Sequence, residues 1–153
     1  MAVFVIAVGR ARGVLAEAAA EYERRAAHYW SLQTVEVREE SARSLPADQV
    51  VAREGERLAA RVPAGATVVA CDERGESWTS PRFATWLAAQ RDAARDVAFL
   101  VGGALGLAPG LREGAGVRLA LAPWTLPHDL ARVVLAEQLY RAGTLARGEP
   151  YHK

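Results

Sequence analysis

Five short apolar runs, each separated from the next by a more polar stretch, set the architecture open to this chain of 153 residues. Val3–Val8 is apolar without a break, the pattern of a strand covered on both faces. Thr67–Cys71 and Val97–Val101 repeat it and are rich in Val. Thr34–Arg38 alternates instead, with Val35 and Val37 on one face and Glu36 and Arg38 on the other. Val117–Leu121 is a shorter fifth candidate. The stretches between them read mainly as helices. Leu15–Tyr29 is rich in Ala, Glu and Arg, which favour helix. Ala47–Arg61 carries charges on one face and ends before Pro63. Ser80-Pro81 has the form of an N-cap followed by proline at the first helical position, opening a helix to about Ala94. A last helix starts near His128 or Asp129 and runs to about Leu145. Strands that alternate with helices predict an α/β fold: a mostly parallel sheet with helices on both faces.

The length suits a single domain spanning residues 1–153, large enough to bury its core without staples. One cysteine, Cys71, excludes an internal disulfide and suits a reducing compartment. The apolar start, Met1–Gly9, lacks a preceding basic region and is only as long as a strand, so it does not read as a signal peptide. No run is long and apolar enough for a membrane span. A cytoplasmic protein with no membrane partner is expected. Nineteen basic against 18 acidic residues leave a formal charge of +1. A broad electrostatic footprint for nucleic acid is therefore absent, and any RNA contact must be local, shared between subunits or dependent on shape. The three histidines and one cysteine lack metal-ligand spacing, so no metal is expected. His28 reads as structural, and Glu39–Ser44 as a polar surface connection.

Four segments have the makings of a site. In Leu100–Leu107 a buried strand runs into a glycine-rich turn, where open α/β sheets bind ligands and where missing Cβ atoms permit close approach. Its spacing is neither G-x-G-x-x-G nor a P-loop, and a tight connection would read the same. Leu119–His128 is an apolar, proline-closed loop whose backbone offers polar contacts and whose Leu and Trp side chains offer walls for a planar ring. A buried connector is its other reading. The helix Asp129–Leu145 is apolar almost all round, through Leu130, Val133, Val134, Leu135, Leu139 and Tyr140. It is either a core helix or one covered by a second subunit. The tail Glu149–Lys153 ends in an aromatic ring, an imidazole and a cation. Those groups suit a base, a proton and a phosphate, if the tail is not simply solvated.

Together these pieces resemble a known family. Val5-Ile6-Ala7-Val8-Gly9, Glu21-Tyr22-Glu23-Arg24-Arg25, Arg53-Glu54-Gly55-Glu56, Leu100-Val101-Gly102-Gly103, Thr125-Leu126-Pro127-His128, Glu137–Ala142 and Pro150-Tyr151-His152 occur in the order and spacing of the ribosomal RNA large subunit methyltransferase H family. These are pseudouridine N3-methyltransferases of the SPOUT class. The resemblance covers nearly the whole chain and implies a C-terminal trefoil knot, which connectivity rules alone would exclude. It further implies a homodimer, with active sites between subunits, acting on large-subunit rRNA within the ribosome.

The resemblance also implies the site. S-adenosyl-L-methionine would be held by Cys71, Gly102 and the run Leu121, Ala122, Pro123, Trp124, Thr125 and Leu126. His152, Tyr151 and Arg141 would be catalytic, and Tyr151, His152 and Lys153 would meet the RNA. His152 is the candidate base for the N3 proton, Tyr151 stacks on or orients the base, and Arg141 and Lys153 bind phosphate or stabilise the imide anion. The chain departs from the family in four places. Cys71 stands where Leu is usual, and Ala104-Leu105 replace a Pro-Glu pair, removing a carboxylate beside the pocket. Ala122 stands where Ser is common, and Lys153 where Arg is common, losing the bidentate fork. The altered glycine turn keeps a second function open: a non-catalytic ribosome-associated or nucleotide-binding module on a degenerate SPOUT fold. A small hydrolase using Cys71 is a third reading, for which no partner base is evident in sequence.

Overall fold

Val97–Val101 lies at the centre of the molecule, and each of its residues is buried. In the computed structural model it forms β4. That model describes residues 1–151 in full and the backbone of His152; the side chain of His152 and all of Lys153 lie outside the described residues. The other strands are β1 (Ala2–Val8), β2 (Ser31–Val37), β3 (Thr67–Ser77) and β5 (Val117–Ala120). The helices are α1 (Gly13–Ala26), α2 (Ala47–Ala59), α3 (Ser80–Asp92), α4 (Pro109–Gly114) and α5 (His128–Ala146), followed by a 3-10 turn at Pro150–His152. All strand pairings are parallel, in the order β2-β1-β4-β3-β5.

Side-chain alternation divides β4 between two cores. Val97, Phe99 and Val101 join Val3 and Val5 of β1 with Phe83 and Leu87 of α3 and Leu135 and Leu139 of α5. Ala98 and Leu100 join Ile6 and Val8 with Leu58 of α2 and Leu111 of α4 on the other face. The sheet is thus covered by helices on both faces, as its two-sided apolar strands require. No helix among the described residues is long and apolar enough to cross a membrane.

Several boundaries differ from the sequence reading. β3 runs on past Cys71 to Ser77, because a register shift between Cys71 and Glu76 lets the chain pair again with β5. β2 starts at Ser31, and β5 stops at Ala120, one residue short of Leu121. The N-cap of α3 is Thr79 rather than Ser80: Thr79 has extended backbone, and its hydroxyl accepts the Arg82 N–H at 3.3 Å. Ser80 is thereby free to donate to Gln138 Oε1 at 2.7 Å, joining α3 to α5. The polar connection after β2 is fastened to α2 by the ion pair of Glu40 with Arg57.

Candidate active site

A parallel sheet delivers the carboxyl ends of all its strands to one edge, and ligands bind there. At that edge β3 ends its first paired stretch at Cys71 and β4 ends at Val101. Between Cys71 and Glu76 the chain bulges out, which re-aims side chains as bulges do. Gly75 makes this possible: a Cβ there would lie 2.6 Å from the Arg118 carbonyl oxygen of β5. After β4 the turn folds tightly on itself. Gly106 donates its N–H to the Gly103 carbonyl at 3.0 Å, and a Cβ on Gly102 would sit 2.7 Å from the Gly106 carbonyl carbon. Gly106 has a φ of 81°, which suits glycine.

Bulge, glycine turn and the loop between β5 and α5 enclose a cavity of about 610 Å³. Of the residues assigned to the cofactor, Cys71, Gly102, Leu121, Ala122, Trp124, Thr125 and Leu126 line it. Pro123 is exposed and does not. Trp124 lies at the rim with 77% of its surface exposed. The loop is tied to the bulge by a hydrogen bond from the Thr125 hydroxyl to the Glu73 carboxylate. Asp72, Glu73, Arg74, Arg112 and His128 also line the cavity, and sequence reasoning had missed them. His128 closes the apolar Leu119–His128 loop and heads α5. Asp72 adjoins Cys71, but a lone acidic residue after a strand carries no periodic signal.

Burial pushes the Cys71 thiol up to about 12, so the neutral thiol prevails and a thiolate nucleophile is disfavoured. The Asp72 side chain is 9% exposed. Its Oδ1 accepts the Arg74 N–H at 3.1 Å, while the Arg74 and Arg112 guanidiniums stand off at 3.9 and 3.8 Å.

Arg141 and Tyr151 are brought together elsewhere, outside this cavity. The Tyr151 ring packs on Tyr140 at 4.5 Å between centroids, with the Arg141 guanidinium 4.8 Å over it. Arg141 pairs with Glu137 at 2.7 Å, and the Tyr151 hydroxyl donates to Glu137 Oε1 at 3.1 Å. Burial, with hydrogen bonds to Tyr22 and Glu137, pushes the Tyr151 phenol up to about 12. The Glu137 carboxylate holds Arg141 firmly in its charged form. Within the chain, then, the cavity and the tail cluster are separate. The assignments to the His152 side chain and to Lys153 fall outside the described residues. Among the described residues, no group of three or more His, Cys, Asp or Glu side chains is arranged to hold a metal.

A sequence model of the family described as "Predicted SPOUT methyltransferase" matches residues 1–152. The chain is 60% identical to ribosomal RNA large subunit methyltransferase H of Gemmatimonas aurantiaca, over all of both chains. It is 43% identical to the proteins of the same name from Burkholderia mallei and Burkholderia pseudomallei, over all of this chain and 99% of theirs. With a layered parallel α/β sheet and a cavity at the carboxyl ends of its strands, this chain belongs to the SPOUT methyltransferase family, alongside ribosomal RNA large subunit methyltransferase H.

Proposed function

We propose that the enzyme transfers the methyl group of S-adenosylmethionine to N3 of a pseudouridine in large-subunit (23S) ribosomal RNA. The observation that carries this reading is the cavity between the glycine turn and the Leu121–Leu126 loop, in a chain 60% identical throughout to a ribosomal RNA large subunit methyltransferase H. Its volume lies in the range of small-molecule and cofactor sites, roughly 300–1,000 Å³. The absent Cβ of Gly102 lets the turn close tightly against the cavity, and Leu121, Trp124 and Leu126 offer apolar walls. When bound, the cofactor supplies an activated sulfonium methyl group. The chain's task is to hold that group in line with N3 and to help N3 lose its proton.

In this reading main-chain groups of Leu121–Leu126, Pro123 included, hold the adenine, with Cys71 and Gly102 beside it. His152 takes the N3 proton, Tyr151 orients the base, and Arg141 and Lys153 stabilise the developing anion or hold phosphate. Because Arg141 and Tyr151 lie outside the cavity of their own subunit, a homodimer that brings one subunit's tail to its partner's cavity completes the site. The partly exposed Leu130, Val133 and Val134 of α5 favour such a second covering surface. The fold proposed is a C-terminal trefoil knot, and β5 lying beyond β3 while α5 packs back on α1 is in keeping with it. The substrate implies a cytoplasmic location.

The test is methyl transfer from labelled cofactor to ribosomes, by the full chain and by a chain ending at Glu149. The full chain should label 23S rRNA at a pseudouridine, and truncation should abolish turnover while cofactor binding persists. Near-normal turnover by the truncated chain would remove the tail from the mechanism. Absence of labelling by the full chain would remove the substrate.

A further inference from the structure

A carboxylate stands in the cofactor cavity with no duty in the reading above. The Asp72 side chain is nine-tenths buried, yet it lines the cavity, at the point where β3 leaves the sheet. Its Oδ1 accepts the Arg74 N–H, which shapes the bulge. Its Oδ2 accepts no hydrogen bond from any described residue. The nearest guanidinium nitrogen, on Arg112, is 3.8 Å away, beyond hydrogen-bond reach. The two guanidiniums at that range leave the lone pairs of Oδ2 free. The only other acid on the wall, Glu73, is engaged by the Thr125 hydroxyl. The turn opposite offers none, since it reads Ala104-Leu105.

A carboxylate on the cavity wall with one oxygen free of protein donors is open to a donor from the ligand. In an adenosyl group the neutral donors that sit beside one another in suitable geometry are the 2′- and 3′-hydroxyls of ribose. A carboxylate accepts such a pair well, and charge-assisted hydrogen bonds are roughly twice as strong as neutral ones. The arrangement parallels the acidic residue that reads ribose hydroxyls at strand ends of dinucleotide-binding sheets. We propose that Asp72 is the ribose-recognition residue of this cavity, its Oδ2 accepting from the cofactor's ribose diol. This rests on the adenosyl cofactor of the proposed function.

Calorimetric titration tests it with S-adenosylhomocysteine and its 2′-deoxy and 3′-deoxy analogues, against wild type and Asp72→Asn. The neutral thioether removes attraction between Asp72 and a sulfonium charge. Asparagine keeps an acceptor for the Arg74 N–H and so preserves the bulge. Wild type should prefer the riboside over at least one deoxy analogue by about tenfold, the loss of about 1.4 kcal/mol of hydrogen bonding. Asp72→Asn should bind the riboside about tenfold more weakly and the deoxy analogue nearly as wild type does, so that the preference collapses. A wild type without preference overturns the proposal whatever the variant does, even one that fails to fold. So does a variant that keeps the full preference. If wild type binds neither S-adenosylhomocysteine nor S-adenosylmethionine, the cofactor reading itself falls and this one with it.

Discussion

Glu54 has one carboxyl oxygen, Oε2, that is sealed from solvent and finds no hydrogen-bond donor. It lies beneath the glycine turn, where a Cβ on Gly103 would come within 2.6 Å of that oxygen. Burial raises its pKa, and the nearby Glu39 carboxylate pushes in the same direction, with Arg57 opposing. A carboxyl whose pKa is higher folded than unfolded favours folding when protonated. Its contribution is complete below the unfolded value near 4.5 and is lost as pH rises through the folded value. Glu54→Gln should therefore melt increasingly above wild type as pH is raised from 4 to 8, by an amount equivalent to about 1–2 kcal/mol at the upper end. A gap between the two melting curves that stays constant with pH would show that ionisation at this position does not burden the fold. Sequence gave no sign of this burial, because Arg53-Glu54-Gly55-Glu56 reads as a solvated charged face. Part of the cavity wall is legible by contrast. Leu121–Leu126 stood out as an apolar loop where a polar one is usual, and Gly102 as a glycine at a strand end.

At the scale of elements, α5 meets the segment after α1 with almost no clearance. A Cβ on Gly143 would lie 2.3 Å from Cγ of Tyr29, and the Tyr29 hydroxyl reaches Glu149 beyond the end of α5. Gly143→Ala should cost about 1–3 kcal/mol by overpacking, read as a lowered denaturation midpoint. Pairing it with Tyr29→Ala should cost less than the sum of the two single changes; strict additivity would place the conflict elsewhere. The elements that could be read from sequence were those whose pattern is set by burial. β4 was placed residue for residue because both of its faces are covered. The second half of β3 was not, since the polar Asp72–Glu76 stretch forms the bulge that breaks the period. α4 escaped notice because six residues give too few turns for a helical period.

For the whole molecule, the proposed dimer surface is the flank of α5 that carries the partly exposed Leu130, Val133 and Val134. Val133→Asp should convert the proposed dimer to a monomer in sedimentation experiments while the melting curve keeps its cooperative form. A variant that remains dimeric would place the contact on another face. Sequence indicated this surface only as a helix with too little polar area. It could not show that the cavity and the Arg141–Tyr151 cluster are separate within one subunit, since that depends on where the last helix folds back. The strand order has a consequence for synthesis on the ribosome. β1 emerges first but lies next to the middle of the sheet, between β2 and β4. β2 follows closely and covers one of its edges, but the other edge stays open until residues 97–101 have been made. β3 also waits for β4 before it has any neighbour in the sheet. For about two-thirds of translation the nascent chain therefore exposes an apolar strand edge, and the residue run that closes it is the central strand.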